Sequence, residues 1–478
     1  MSAPESSPSL TVTRVEAWER DVTLRMPFKF GIVTLREAPQ LFLRVTIRLA
    51  DGREGQGMAA EMLAPKWFDK NPDLSNEQNF DQLRLATATA AGLYLGAGSG
   101  TAYGLHAGLA QDHLAACAGH DLNPLVAGFG TALLDRAVID GLGRLQGISV
   151  FDLVASNALG IDGRTAPDLG DFDLGGFLAG LRPADTIGAR HTVGLVDAIT
   201  EADIAADDRV GDGLPESLQA AVDFYGLTYF KLKVGGDIEA DLDRLRRIAA
   251  VLDRSEAPYW ATLDGNEQYD SVEPVIELWH RMQADPALDR LCQAILFFEQ
   301  PIMRSQALAR EVSDLAALKP VEIDESDATM DSFVEARALG YEGVSSKSCK
   351  GLYHSLLNRA RVAKWNVEAG AERFFMSAED LTTQAGLCVQ GDLALATLIG
   401  CTHVERNGHH YVNGMDGVPA EEQRAFLAAH GHLYHDAGGV ARLTIAGGQI
   451  AIGSLDTPGL GSAVLPDVAA MRELDLSG

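Results

Sequence analysis

Eight short apolar segments, separated by stretches with helical periodicity, occupy the chain after residue 190 and constrain its fold more than any other feature. Repeated strand–helix units of this length give parallel strands, and eight of them predict an α/β fold, a TIM-type (β/α)8 barrel or its modified (β/α)7β form. The predicted strands cover residues 192–196, 229–234, 259–263, 294–298, 321–323, 343–346, 374–376 and 402–404. In such barrels the functional residues lie where the strands end, at the carboxyl-terminal rim.

The first 150 residues have a different pattern, with strands first and helices after them, which predicts an α+β domain. Alternating apolar and polar residues predict an antiparallel meander at 12–18, 40–49 and 53–58. Apolar residues at helical spacing predict closely packed helices within 76–118 and 124–145.

Two segments of this domain, 25–35 (RMPFKFGIVTL) and 59–70 (AAEMLAPKWFDK), combine large apolar side chains with turn-prone sequence. Loops of this kind more often cover a site than support one. Phe28 and Phe30 are therefore candidates to contact a ligand, and the alternative is that they are ordinary core residues.

Three carboxylates lie at the ends of successive predicted strands: Asp264 in ATLDGNEQY, Glu299 in LFFEQPI and Asp324 in VEIDESD. Consecutive strand ends are neighbours on the rim of a barrel, so these acids are expected to face one another. Facing carboxylates repel and take up protons unless a cation lies among them, and an all-oxygen set suits Mg²⁺ or Mn²⁺ better than Zn²⁺. Taken singly, each acid is better explained as a helix cap or a salt-bridge partner; the register of all three favours a metal site.

Lysines occupy two other strand ends. Lys231 and Lys233, in TYFKLKVGG, lie on the same side of one strand because successive strand residues alternate faces. Lys347, in VSSKSCKG, follows the sixth predicted strand and is expected across the mouth of the barrel from them. Adjacent ammonium groups repel each other and stabilise nothing, so beside the acids these lysines indicate a functional site.

The ordered set KLK, LDGN, FFEQP, IDES and SSKSCKG resembles the enolase superfamily, and within it the muconate-lactonizing-enzyme-like subgroup. PFKFGIVTL resembles the mobile specificity loop of an N-terminal capping domain, HTVGLVDAI the first barrel strand, and DTPGLG the tail that returns to the cap. We therefore expect an α+β capping domain at 1–150, a linker or insertion at 151–190, the barrel with its metal site at 191–415 and a returning C-terminal segment at 416–478.

The resemblance also implies a role for individual residues. It implies that Mg²⁺, or alternatively Mn²⁺, is bound by Asp264, Glu299 and Asp324. It implies that acid and base groups stand on opposite faces of a small carboxylate substrate, with an electrostatic companion beside them: Lys233, Lys347 and, as companion, Lys231.

Other residues are expected beside the metal ligands or against the substrate: Asn266, Glu325, Glu405, Phe28 and Phe30. Glu325 could pair with Lys347 and hold its position, or be an acid at the surface. Glu405 could contact substrate or belong to a structural charge pair. A second anionic group of the substrate could be bound by cations of the covering segments, or these could simply be solvated: Lys29, Arg36 and Lys66.

The implied reaction begins with removal of the proton α to a carboxylate, which gives an enediolate. A divalent cation and a nearby ammonium stabilise that charge, and both also depress the pKa of a lysine so that it can act as a base near neutral pH. The outcome is left open between racemisation or epimerisation, cycloisomerisation and elimination such as dehydration.

The sequence departs from the family at two strand ends. HVERNGHH lacks the DxD pair of dipeptide epimerases, and FFMSAED lacks the His–Asp pair of the mandelate-racemase type. We interpret His409 and His410 as a solvated loop pair and Lys350 as a loop cation. Two alternatives from other classes remain: a metal-independent Schiff-base lyase or aldolase on Lys231 or Lys347, and a metal-binding barrel without catalytic activity.

Composition limits the partners. A formal charge of −28 and a pI near 4.7 argue against nucleic acid and against an anionic membrane surface. The five scattered cysteines show no CxxC spacing, and neither a signal peptide nor a long apolar span is recognisable. We therefore expect a cytoplasmic homo-oligomer that acts on a small molecule.

Overall fold

The N-terminal part is an antiparallel sheet backed by helices. The computed structural model describes residues 7–30, 33–381 and 383–476, with the backbone alone for Phe30 and Val33. The meander consists of β1 (Leu10–Phe30), β2 (Val33–Leu49) and β3 (Glu54–Met62). The strands are longer than predicted, because residues 25–30 and 33–35 are strand: β1 and β2 stay paired there, with Phe28 opposite Leu35.

Three helices cover one face of this sheet, as the helical spacing predicts: α1 (Asn76–Gly96), α2 (Ala102–Ala118) and α3 (Pro124–Gln146). The side chain of Asn123 accepts hydrogen bonds from the first amides of α3, which is thereby capped. Gly57 and Gly141 let β3 and α3 approach closely, since a Cβ on Gly57 would lie 2.0 Å from the Gly141 nitrogen. The end of β3, and the segment after it, are thus fixed against a buried helix.

Eight parallel strands follow, in the order β10-β9-β8-β7-β6-β5-β4-β11. A bridge between Glu379 and Glu405 joins the two outer strands, β10 and β11, and closes the barrel. The strands are β4 (Thr186–Val193), β5 (Tyr229–Lys233), β6 (Trp260–Asp264), β7 (Ile295–Glu299), β8 (Val321–Ile323), β9 (Gly343–Ser346), β10 (Phe375–Ala378) and β11 (His403–Glu405). The predicted capped α/β barrel is confirmed.

Helices connect the barrel strands on the outside. They bury an apolar face against the sheet, as in α7, where Leu242, Leu245 and Ala249 are buried. The connecting helices are α6 (Leu218–Tyr225), α7 (Ile238–Leu252), α8 (Glu273–Gln283), α9 (Asp289–Ala294), α10 (Arg304–Ala307), α11 (Ser313–Ala316), α12 (Ser332–Ala338), α13 (Leu352–Ala369) and α14 (Leu387–Leu398).

The connections before and after the barrel are more ordered than their sequences indicate. The stretch 151–190 holds most of α4 (Val150–Ala155), all of α5 (Leu174–Gly180) and the start of β4, six residues earlier than the predicted strand. After β11 come α15 (Gly408–Tyr411), α16 (Ala420–Ala429), β12 (Tyr434–Asp436), β13 (Ala441–Leu443), β14 (Gln449–Ala451) and β15 (Arg472–Leu474). β15 pairs with β1, which ties the C-terminal segment to the N-terminal sheet.

The cysteines and the helices agree with the composition. All five cysteines are free thiols, and Cys349 is buried. Within the described ranges, no helix has both the length and the apolar character needed to cross a bilayer.

Candidate active site

The carboxyl-terminal mouth of the barrel forms a cavity beneath the N-terminal sheet. Its floor is polar and includes Lys231, Lys233 and Asp324. Its roof is apolar and comes from the N-terminal domain: Phe28, Leu35, Met62, Ala64 and Trp67. A charged floor under an apolar lid is the usual form of a small-molecule site.

Lys231 lies at the centre of the floor and is almost fully buried. Its ammonium contacts one carboxylate oxygen from each of four different strand ends: Asp264 at 2.9 Å, Glu299 at 2.5 Å, Glu379 at 2.9 Å and Glu405 at 2.6 Å. Burial lowers the pKa of this lysine, but the surrounding carboxylates together outweigh burial and hold the pKa well above its usual value. Lys231 therefore holds its proton more tightly than an ordinary lysine.

The carboxylates around Lys231 respond to burial differently. Burial raises the pKa of Asp264, but Lys231 and Lys233 outweigh it and the pKa is net lowered. For Glu299 burial prevails, and the pKa is raised. Glu405 has a lowered pKa, because Lys231 and Lys233 overcome its burial. Glu299 is thus harder to ionise than Asp264 and Glu405.

Lys233 ends β5 two residues after Lys231, on the same side of the strand, as predicted. Its ammonium contacts the Asp264 carboxylate at 2.5 Å and reaches the cavity. It is the more exposed of the two lysines, with 11% of its side chain accessible. Its amine is therefore open to a molecule in the cavity.

Lys347 and Lys350 approach the cavity from the opposite side, at the end of β9, and share Asp324. The Asp324 carboxylate lies 2.9 Å from each of the two ammonium groups. Burial lowers the pKa of Lys347, and the positive charges of Lys350 and Lys231 lower it further. The negative charge of Asp324 raises this pKa but does not outweigh them, so the pKa is lowered. Burial also raises the pKa of Asp324, but the two lysines outweigh it and hold the carboxylate ionised. Lys347 is thus more easily deprotonated than an ordinary lysine.

Lys350 was interpreted from the sequence as a loop cation, and this is wrong. The turn Ser348–Lys350 is a single 3-10 turn that brings the lysine back under Lys347, where it is buried. Its ammonium also donates to the carbonyl oxygens of Asp324 and Ser345, at 2.7 and 2.8 Å. Three carbonyl and carboxylate acceptors compensate its burial.

Glu325 does not pair with Lys347, contrary to one of the two alternatives. Its carboxylate accepts a hydrogen bond of 3.0 Å from the amide of Asn266, whose own backbone nitrogen donates to Asp264. Glu325 is buried, so the surface alternative is wrong as well. Burial, and next the neighbouring Asp324, raise the pKa of Glu325 to about 7. Asn266 and Glu325 both line the cavity.

Glu379 and Glu405 connect the two sides of the site. Glu405 accepts hydrogen bonds from Thr192 and from Asn407, in addition to its contact with Lys231. Glu379 contacts both Lys231 and Lys347. Glu379 was noted in the sequence only as a departure from the mandelate-racemase pattern. It directly follows a barrel strand, and the strand-end rule would have placed it in the site.

The roof is attached to the barrel by charged groups. Arg304 donates to the carbonyl oxygen of Trp67 at 2.9 Å and forms a salt bridge of 2.7 Å with Glu267, which also pairs with Lys70. These bonds hold Trp67 with its ring 5.0 Å from the Lys347 ammonium. Phe28 is buried and packs on Tyr411, with ring centroids 4.3 Å apart. The side chain of Phe30 lies outside the described part of the chain.

His409 and His410 are not a solvated pair, which corrects the sequence interpretation. Both are buried and pack against His191 of β4, whose Nδ1 lies 3.0 Å from Nε2 of His409. Burial lowers the pKa of His191 to about 4 and the pKa values of its two neighbours well below the usual range. These imidazoles are therefore neutral and form part of the wall behind Glu405.

The donor set fits a divalent cation. Oε2 of Glu299 is buried and has no hydrogen-bond partner among the described residues, and oxygens of Glu299, Glu379 and Glu405 lie within 4.8 Å of one another. Five carboxylates of the floor face four ammonium groups: Asp264, Glu299, Asp324, Glu379 and Glu405 against Lys231, Lys233, Lys347 and Lys350. An oxygen-only set with carboxylates in excess is what Mg²⁺ and Mn²⁺ prefer.

The predicted ligands fall into two groups around this floor. Asp264 and Glu299 meet at Lys231, as expected of neighbouring strand ends. Asp324 faces Lys347 and Lys350 instead. Binding of one ion by all three acids therefore stays a prediction.

Neither a scan against protein-family models nor a search of curated proteins finds a match to this chain. Solved structures match over nearly its full length. A member of the enolase superfamily from Roseovarius nubinhibens ISM is 19% identical with a TM-score of 0.57, and the match covers 98% of this chain and 99% of that one.

Two enzymes with assigned reactions are equally similar. A 2-chloromuconate cycloisomerase from Rhodococcus opacus 1CP is 18% identical with a TM-score of 0.57, covering 96% and 98% of the two chains. A dipeptide epimerase from Cytophaga hutchinsonii, solved with Mg and the dipeptide D-Ala-L-Val, is 15% identical with a TM-score of 0.58, covering 97% and 99%. This chain has the capped-barrel fold of the enolase superfamily, which confirms the resemblance at the level of the fold.

Proposed function

We propose that the protein is an enzyme of the enolase superfamily that depends on Mg²⁺ or Mn²⁺ and removes the proton α to a carboxylate. Its overall reaction is a racemisation or epimerisation, a cycloisomerisation or a dehydration. The observation that carries the proposal is the position of the lysines. Lys233 lines the cavity, and Lys347 comes from the opposite side of the barrel and contacts Asp324, which also lines the cavity.

Asp264, Glu299 and Asp324 are the residues that would hold the cation, and Glu379 and Glu405 border them. A bound divalent cation would neutralise the second negative charge that a carboxylate acquires when its α-proton leaves. Lys231 also stabilises this second negative charge, because its raised pKa keeps an ammonium beside these acids.

Lys347 is suited to act as the general base. Its lowered pKa gives it a larger neutral fraction at physiological pH than an exposed lysine has, and only the neutral amine accepts a proton. Lys233 stands on the opposite side and can return a proton to the other face of the planar intermediate. Two flanking lysines therefore permit exchange on both faces.

The roof excludes water from the reacting carbon. Phe28, Leu35 and Trp67 are all buried and present apolar groups to the cavity. Low water content strengthens the attraction between the floor cations and developing negative charge. Catalysis would thus combine proton transfer by lysine with an environment that stabilises the product anion.

Proton exchange in D₂O tests this proposal. The Mg²⁺-loaded protein is incubated with a panel of carboxylic acids, and deuterium at the α-carbon is followed by NMR. We expect exchange that stops in EDTA and returns with Mg²⁺. Exchange with no acid of the panel would contradict the proposal and favour a barrel without catalytic activity.

A Schiff-base lysine is the second candidate, favoured by the lowered pKa of Lys347. Treatment with borohydride and a carbonyl compound distinguishes the two. We expect no covalent adduct; an adduct on Lys347 formed in EDTA would identify the protein as a Schiff-base enzyme instead.

A further inference from the structure

We infer that the substrate carries a single carboxylate and an apolar α-substituent, and that dicarboxylates are rejected. The inference rests on the proposed function, since it concerns the molecule whose α-proton is removed. It follows from the chemistry of the roof, where the α-substituent would lie once the reacting carboxylate is on the charged floor.

The hairpin at the edge of the roof turns its apolar side to the cavity. Phe28 and Leu35 are directly opposite each other across β1 and β2, and both are buried and line the cavity. Successive residues of a strand point to opposite faces. The adjacent cations, Lys29 and Arg36, therefore face away, and both are exposed.

Lys66, the third candidate for a second anionic group, is also unavailable. It is buried, and its ammonium donates to the carbonyl oxygens of Asn71, at 2.6 Å, and Leu74. Its side chain is thus used to fix the segment after β3. Met62 and Trp67, on either side of it in the chain, supply apolar surface to the cavity instead.

Other cations near the roof are already paired. Arg25 is bound to Asp212 at 2.6 Å and to the carbonyl oxygen of His410 at 2.7 Å. Lys70 and Arg304 share the carboxylate of Glu267. None of these three cations lines the cavity within the described ranges.

The residues outside the described ranges add no lysine or arginine to this set. Residues 1–6, 31–32, 382 and 477–478 read MSAPES, GI, T and SG, so none of them has a cationic side chain. The described lysines of the lining are Lys231 and Lys233, both on the floor. The upper part of the cavity is thus apolar.

A second carboxylate on the substrate would meet this apolar wall or the acids at its border. Glu325, Glu379 and Asp380 line the cavity on the polar side, and Asp380 is already paired with Arg406 at 2.5 Å. A charge buried without a partner, or beside a like charge, is strongly disfavoured. An apolar group would instead displace water from the surfaces of Phe28, Leu35 and Trp67.

Matched pairs of acids test the inference on the Mg²⁺-loaded protein. In one pair, 2-benzylpropanoate and 2-benzylsuccinate differ in that a methyl group is replaced by a carboxymethyl group. Further pairs carry isobutyl or phenyl in place of benzyl. The rate of α-deuterium incorporation is measured for each member, and we expect the monocarboxylates to exceed their partners by at least about 100-fold.

The outcomes separate the inference from the proposed function. Equal or faster exchange of the dicarboxylates would overturn the inference and leave the proposed function intact. Exchange in neither member of any pair would count against the proposed function itself, and the inference would fall with it.

A cation added to the roof should reverse the preference. In Met62→Lys, or in Leu35→Lys as a second variant, an ammonium would enter the apolar wall and give a second carboxylate a partner. We expect the ratio of dicarboxylate to monocarboxylate exchange to rise at least about tenfold in a variant whose thermal melt shows a folded protein. Lys29→Ala is the matched control and should leave the ratio unchanged. If the roof variants are folded and this ratio does not rise in them, the inference is contradicted.

Discussion

Two pairs of lysines lie on opposite sides of the site, one pair in the cavity wall and the other behind Asp324, and their surroundings give them different properties. On β5, Lys231 is surrounded by carboxylates from four strand ends, and its pKa is raised. At the end of β9, Lys347 shares Asp324 with Lys350, and its pKa is lowered. Both lysines are equally buried. Because burial is the same, the difference in pKa between the two lysines comes from the numbers of carboxylates and ammonium groups around each.

The difference indicates a division of roles. The β5 side retains a fixed positive charge, which stabilises anions, and the β9 side supplies an amine that can lose its proton. A pair of identical lysines in identical surroundings would provide only one of these properties. The predictions below test whether the two sides differ as described.

The largest expected effect is the loss of either amine that faces the substrate. Lys347→Ala and Lys233→Ala should each reduce α-proton exchange on one face by about 10²–10⁴-fold, because a positioned acid or base contributes that much. Each enantiomer of a chiral substrate is followed separately by NMR. Lys29→Ala serves as a control, since Lys29 is exposed and faces away. Full exchange on both faces in both variants would contradict the roles of the two lysines.

Removal of Lys231 should affect stability more than removal of Lys233. Lys231→Met leaves four buried carboxylates without their common partner and should lower the free energy of unfolding by about 3–5 kcal/mol. Lys233→Met breaks one contact, with Asp264, and should cost less. Denaturation curves of both variants, measured with EDTA and again with Mg²⁺, compare the two. Equal losses would contradict the account, in which Lys231 contacts four carboxylates and Lys233 only Asp264.

The pH dependence of exchange should identify the β9 side as the base. Exchange should rise with pH as Lys347 loses its proton, and the rise should come at lower pH than for an ordinary lysine, whose pKa is 10.5. Lys350→Met removes a like charge that helps to lower this pKa, so the rise should move to higher pH. A profile that moves to lower pH, or does not move, would contradict this electrostatic coupling.

The smallest expected effect comes from the ring above Lys347. Trp67→Leu keeps an apolar roof but removes the cation–π contact at 5.0 Å, which is worth about 0.5–2 kcal/mol. Exchange should change by no more than about 30-fold, and Trp67→Phe should retain most of the wild-type rate. A loss as large as that of Lys347→Ala would show that the roof does more than we describe.

Much of this architecture could be predicted because it follows from periodicity. Parallel strands bring their carboxyl ends to one rim, so Lys233, Asp264 and Glu299 could be placed there from their positions at strand ends. This placement needs only the positions of the residues in the strands and no interatomic distance. The same rule applies to Glu379, which the sequence reading did not use.

The rest depends on contacts that spacing does not encode. Lys350 reaches Asp324 through a 3-10 turn, and His409 is buried where His191 and Tyr225 pack against it. The hairpin at 25–35 contains turn-prone residues, yet cross-strand pairing of Phe28 with Leu35 extends both strands. In each case contacts beyond the immediate sequence neighbours override a local preference.

The central claim is that a divalent cation binds among the strand-end acids between the two lysine pairs. Crystals grown with Mn²⁺, measured at a wavelength where manganese scatters anomalously, test it most directly. We predict one strong anomalous peak within bonding distance of Asp264, Glu299 and Asp324. A peak confined to another carboxylate group, or none at all from crystals saturated with Mn²⁺, would contradict the account.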